Sequence, residues 1–165
     1  MSTLKVDTIQ GKTTSGTVAM PSGSVVQVQH NEPLASFFSS DSQTAIDVTN
    51  YYVDITPKFS DSIIIFEVVL IGNHNSSSSY VRFRVVDSNN SDAVIHQSSY
   101  ISHYSYLLSD TDTFSEIPIR AVDTNCGTTN TMRLQLQMKN TGSATFNMNW
   151  SSYERRLLTA TEIKA

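Results

Sequence analysis

Apolar residues recur in this chain at every second position, and a period of two is the signature of a β-strand with one buried face. Met132, Leu134, Leu136 and Met138 alternate with Arg133, Gln135, Gln137 and Lys139. Phe146, Met148 and Trp150 alternate with Asn147, Asn149 and Ser151. Val81, Phe83 and Val85 alternate with Arg82 and Arg84. Successive strand side chains point to opposite faces, so each run reads as a half-buried strand with one wet face. Ile117, Ile119 and Ala121 share a face next to Pro118. A proline there predicts an edge strand or a bulge, because it has no N–H to give to a ladder.

No window of about 11 residues carries a convincing helical period. The nearest candidate, Glu154 to Glu162, contains Thr159 and Thr161 and reads better as a terminal strand. Strands are expected over 24–30, 46–55, 62–72, 80–87, 93–107, 114–122, 131–139 and 144–163. Turn clusters separate them: Asn73 to Ser79, Asp87 to Asp92, Ser109 to Thr113, Asp123 to Asn130 and Asn140 to Ser143. Short strands at such spacing predict an all-β fold, an antiparallel, jelly-roll-like β-sandwich. The predicted head spans 24–165.

Residues 1–23 differ. Leu4, Val6, Ile9, Val18 and Met20 are their main apolar points, and Pro21-Ser22-Gly23 is a turn. Twenty such residues cannot bury a core. Extended, they reach roughly 60–65 Å at about 3.3 Å per residue. They are expected to form an N-terminal extended β arm that docks on something else.

The run from Ile63 to Ile71 breaks the one-faced pattern, being apolar on both sides except at Glu67. Both faces should then be covered, by a subunit interface or by a packed arm, and Ile63, Ile65, Val69 and Ile71 are the candidate subunit-interface residues. Glu67 is expected to meet an arginine such as Arg82 or Arg84, or to lie near a wet axis.

Composition narrows the function classes. Charged residues make up 16% of the chain, against the usual quarter. Ser, Thr and Asn fill the difference. A net charge of −4 lacks the basic stripe of a nucleic-acid binder. Met1 to Gln10 carry no apolar segment of the secretory kind, and Ile63 to Ile71 is too short for a membrane helix. The expectation is a protein made in a cytoplasm, with no membrane insertion. The lone Cys126 permits no intrachain disulfide and is read as a free thiol.

Catalytic and ligand motifs fail on inspection. Gly11-Lys12-Thr13 resembles the end of a phosphate loop, but Val6 stands where a glycine is required and no helix follows. Asp110 to Thr113 begins like a calcium loop and then breaks at Phe114. His30, His74, His96 and His103 have no metal-ligand spacing, although His96 and His103 could meet across a hairpin. Asp47, Asp54 and Asp61 border turns, where Asp makes local hydrogen bonds, and mark no acid/base pair. The chain reads as a non-enzyme with no cofactor. Tyr100, His103, Tyr104 and Tyr106 crowd a Ser-rich stretch and are receptor-contact candidates. Sandwich packing is the alternative use for their rings.

Three segments carry a resemblance. Thr3 to Gln10, Gly16-Thr17-Val18 and Pro21 to Val28 resemble the start of structural proteins of tailed phages, especially marine and cyanobacterial ones. Leu157 to Ile163 is similar to their closing strand, and Thr56 to Ile65 to their recurrent turn and central strand. The likeness covers both ends well and the middle loosely. It implies a homotrimeric virion protein, assembled in the host cytoplasm. Its arm would hold another virion protein, and its sandwich would be displayed as a short tail fibre or spike for host-surface adhesion. The absence of a long shaft leaves a capsid decoration protein as an alternative. A carbohydrate-binding module, taking a host surface glycan, is a third reading.

Overall fold

A computed structural model of the chain describes residues 21–33, 37–74, 80–97, 115–142, 145–148 and 157–165. Among them are ten strands: β1 (Val25–Asn31), β2 (Phe38–Ser40), β3 (Ile46–Ile55), β4 (Ile63–His74), β5 (Val81–Asp87), β6 (Ala93–Gln97), β7 (Ser115–Asp123), β8 (Met132–Asn140), β9 (Phe146–Met148) and β10 (Leu158–Ile163). A single 3-10 turn, Ser88–Asn90, is the one helical element in the described residues. All strand pairs are antiparallel. The expected all-β antiparallel sandwich is the observed fold.

One sheet runs β1-β10-β4-β9-β2, with β7 on the opposite edge of β4. We call it sheet A. The other, sheet B, runs β3-β8-β5-β6. β4 is the spine of sheet A because its length serves two neighbours on one edge: residues 63–67 pair with β10 and residues 72–74 with β9. Its other edge pairs with β7 over residues 64–72. Pro118, on β7, sits opposite Val69, and among the described residues β7 pairs only with β4. That is the edge position the proline predicts.

The alternation read from the sequence sets the core. Ile64, Phe66, Val68 and Leu70 of β4 are buried, as are Phe83 and Val85 of β5 and Leu134, Leu136 and Met138 of β8. They join one cluster between the sheets. Burying each large side chain contributes about 1.5–3 kcal/mol. Phe83 of sheet B meets Phe146 of sheet A edge to face, ring centres 5.5 Å apart, so the pair ties the layers together.

The outer face of β8 departs from expectation. Gln135 and Gln137 are buried, not wet. The cause lies in β3, whose register slips between Asp47 and Tyr52. The extra residues bulge, with Asn50 in the left-handed region at φ 66°. The bulge leaves carbonyls unpaired in the ladder. Gln135 Nε2 lies 3.0 Å from Val48 O, 3.2 Å from Tyr51 O and 2.8 Å from Leu136 O, so its two protons serve three buried acceptors.

Other boundaries also differ. β2 was not expected. The predicted strand 93–107 is described only as far as Gln97, and the predicted strand 144–163 is described as β9 and β10, with residues 149–156 outside the described residues. The free edge of β1 is stitched to sheet B by side chains: Gln27 Nε2 donates to Thr56 O at 2.6 Å and Asn31 Nδ2 to Tyr52 O at 2.7 Å.

Candidate interaction faces

The outer face of sheet A follows from register. Residues directly opposite in an antiparallel pair point to the same side. Ile65 pairs with Thr161 on β10 and with Val122 on β7, and Thr161 pairs with Val28 on β1. Ile63 pairs with Ile163, which pairs with Val25. Val69 lies opposite Pro118, and Ile71 opposite Glu116. The four predicted interface residues, Ile63, Ile65, Val69 and Ile71, therefore share one outward row.

The chain's own described residues cover that row only in part, leaving Ile63, Ile65 and Ile71 half-buried. Val69 is 40% exposed, Val28 52%, Val25 55% and Leu157 51%. Five of the seven exposed large hydrophobics among the described residues (these four and Val122) belong to this face. Exposed valines scattered singly need no explanation, whereas several gathered on one face mark a contact surface. A hollow of about 490 Å³ between Leu157, Thr159, Val69 and Pro118 roughens it.

Glu67 and Arg120 sit in the middle of the face, paired at 3.4 Å with both side chains more than half exposed. This corrects the expectation that Glu67 meets Arg82 or Arg84. Those arginines lie on β5, in the other sheet. An exposed pair of this kind contributes little to stability, about 0–1 kcal/mol.

The start of the described chain is held by backbone hydrogen bonds. Gly23 N donates to Lys164 O at 2.8 Å and Lys164 N to Ser24 O at 3.0 Å, and Gly23 takes φ 83°. The first described residues thus lie beside the end of β10, at the corner of the apolar face. Leu4, Val6, Ile9, Val18 and Met20 lie outside the described residues, as do Tyr100, His103, Tyr104 and Tyr106. The proposed meeting of His96 with His103 falls there too.

A buried carboxylate holds this corner from inside, and sequence reading missed it. Glu162 faces inward on β10 and is fully buried. Its Oε1 accepts from Ser62 Oγ at 2.7 Å, Lys58 N at 2.8 Å and Phe59 N at 3.2 Å. Its Oε2 accepts from Gln27 Nε2 at 2.6 Å. Burial pushes this carboxyl upward, but the hydrogen bonds from Ser62, Gln27 and the two backbone amides outweigh it and hold the group below its ordinary value. Neighbouring Lys164 pairs with Asp61 at 2.6 Å, and that bond lowers the Asp61 carboxyl despite a smaller opposing effect of desolvation. Glu162 thus joins β10, β1 and the turn after β3.

The remaining predicted groups have structural partners. Asp54 takes Arg133 in a two-pronged pair at 2.8 and 2.9 Å, which raises the Arg133 guanidinium. Asp54 therefore reaches across the β3–β8 pair, and Asp61 reaches from its turn to Lys164 beyond β10. Cys126 is a free thiol, half-buried, with Sγ 3.3 Å from Thr128 O and 3.4 Å from Phe59 O. It pins the loop after β7 onto the turn before β4. No group of three His, Cys, Asp or Glu among the described residues is placed to hold a metal. No helix of the described residues is long and apolar enough to cross a membrane.

No protein-family model and no curated relative matches the sequence. Among solved structures, the VP2 subviral particle of infectious bursal disease virus is similar over 97% of this chain and 42% of that chain, with 13% identity and a TM-score of 0.41. The derived T=1 particles of the same virus are similar over 97% and 41%, with 12% identity and a TM-score of 0.40. The chain spans less than half the length of these solved chains. At that level of superposition the likeness carries no argument for what this chain does.

Proposed function

We propose that the protein is a non-enzymatic virion structural protein that assembles as a homotrimer through the outer face of sheet A. The observation that carries self-association is the gathered apolar row of Ile63, Ile65, Val69 and Ile71, flanked by Val25, Val28 and Val122. A second copy is the fitting occupant, because each copy offers the same largely apolar surface, with the Glu67–Arg120 pair in its middle and Glu116 near its end. The number three and the virion setting rest on the resemblance of the chain's ends to tailed-phage structural proteins. On this reading residues 1–23 are the attachment arm, gripping a neighbouring virion protein through Leu4, Val6, Ile9, Val18 and Met20. The sandwich is displayed as a short tail fibre or spike. Tyr100, His103, Tyr104 and Tyr106 are its receptor contacts, with a surface glycan as the ligand class. Three weak sites on one rigid body would bind a repetitive surface by avidity.

Sedimentation velocity at micromolar concentration tests the assembly. The wild type should run at three times the 18.3 kDa of the chain. An Ile65→Asp, Val69→Asp double variant should run as a monomer with an unchanged circular dichroism spectrum. A wild-type monomer defeats the reading. Antibody-gold labelling of particles then settles placement: label on the tail supports the fibre, and label over the head replaces it with a capsid decoration role.

A further inference from the structure

The outer face of sheet A is not apolar throughout, and register gathers polar residues into one row across it. His30 on β1 lies opposite Thr159 on β10, Thr159 opposite Glu67 on β4, and Glu67 opposite Arg120 on β7. Opposed residues of an antiparallel ladder share a face. Their neighbours along the strands, Phe66, Val68, Leu158, Ala160, Ile119 and Ala121, are buried between the sheets, so the row itself points outward. Apolar residues border it on both sides. Val28, Ile65 and Val122 lie on one side, and Leu157, Val69 and Pro118 on the other.

His30 stands at the β1 end of this row and is exposed in the single chain. It follows Val28 by two residues on the same face, and Leu157 precedes β10 on the far side of the row. Both of those apolar residues are exposed. A partner seated on Val28 and Leu157 therefore also covers His30.

The charged groups around His30 do not offer it a counter-ion. Its side chain makes no ion pair among the described residues. Glu67 shares the row at two strand spacings, roughly 10 Å between backbones, and is already paired with Arg120. Glu116 lies two rows further along β7. β10 contributes only Thr159 and Thr161 beside it on this face. On the β1 side, Glu32 has a contact of its own. Asp54 of β3 belongs to sheet B, behind β1, and is held by Arg133.

We propose that His30 makes assembly through this face pH-dependent: copies join while its imidazole is neutral and separate when it is protonated. The inference rests on the trimer reading above. Burial disfavours the charged form of a histidine, and the row that covers it brings no free carboxylate. A threefold axis running along β4 would keep each row at its own height. The β7 end of the row in one copy would then meet the β1 end in the next, bringing Arg120 toward the imidazole. Assembled copies hold fewer protons than free ones on this account. Assembly is therefore full above the range in which a histidine changes charge and is lost as pH falls through it.

The test is sedimentation velocity on the full chain at constant ionic strength, at about pH 8 and about pH 5.5, which bracket most of that range. The effect enters once per copy, so the trimerisation constant should be about a hundredfold weaker at the lower pH. The circular dichroism spectrum should not change, because the Glu162 and Asp61 carboxyls are held below their ordinary values and stay ionised at both. His30→Gln and His30→Asn carry no charge at either pH and should assemble equally at both. His96→Gln, on β6 of the other sheet, should dissociate as the wild type does. A wild type that is monomeric at the higher pH defeats the assembly reading and this inference with it. A trimer equally tight at both pH values, or neutral His30 variants that still dissociate on acidification, would overturn this inference alone and leave the assembly standing.

Discussion

Replacing Glu162 with Gln isolates the charge of the buried carboxylate at nearly constant shape. Three donors converge on Oε1 and one on Oε2. In Glu162→Gln the amide oxygen can still accept from Ser62 and from the backbone amides of Lys58 and Phe59. The amide nitrogen, however, meets the donor of Gln27. Hydrogen bonds to a charged group are worth about 1.5–3 kcal/mol each, neutral ones about 1. Weakening three and losing one, with part returned because no charge is buried, gives a net loss of about 2–3 kcal/mol. For a chain of this size each kcal/mol moves the melting temperature by about 2–4 °C, so the fall should be about 4–12 °C.

The pH dependence sharpens the test. The folded carboxyl lies below its ordinary value of 4.5, so on acidification the unfolded chain takes up the proton first. The stabilisation is full above the unfolded value and is lost as pH falls toward the folded one. Calorimetric melts at pH 7 and pH 3.5 should therefore show a smaller difference between wild type and Glu162→Gln at the lower pH. A fall under about 2 °C at pH 7, or the same fall at both pH values, would refute the latch.

Two further substitutions probe the fold around it. A Cβ at Gly72 would stand 2.8 Å from Phe146 Cε2 and 3.0 Å from Asn147 O. The Phe146 ring is fully buried against Phe83 and cannot retreat, so Gly72→Ala should destabilise by about 1–3 kcal/mol in chemical denaturation. Gln135→Ala should cost about 1–3 kcal/mol by leaving bulge carbonyls unpaired, and hydrogen exchange should quicken over residues 48–52 first.

The sequence made the inner faces legible because burial and strand period coincide there: Ile64 to Leu70, Val81 to Val85 and Met132 to Met138 alternate in the chain as they do in space. The outward placement of Ile63, Ile65, Val69 and Ile71 was legible for the same reason, since the strand period sets them opposite the inner row. Gln135 and Gln137 misled because polarity signals water only while nothing covers the strand, and the β3 bulge is not visible in a pattern. β2 escaped notice at three residues, too short for a period. The Glu162 latch joins positions about a hundred residues apart, and no local spacing encodes such a meeting. The arm and the tyrosine stretch lie outside the described residues, so those expectations rest on sequence alone.

The position of β10 has a consequence for biosynthesis. Among the described residues it is the tenth strand in chain order, yet it lies between the first and the fourth. Among those residues β1 has no other sheet partner, and β10 emerges roughly 125 residues later. At ribosomal speeds of about 5–20 residues per second, that wait is on the order of ten seconds. During it β4 also shows a bare edge beside β1's own. A nascent chain in that condition offers two unpaired edges to its neighbours on the same polysome. Strand exchange between copies, before any finished subunit exists, is the hazard this topology creates.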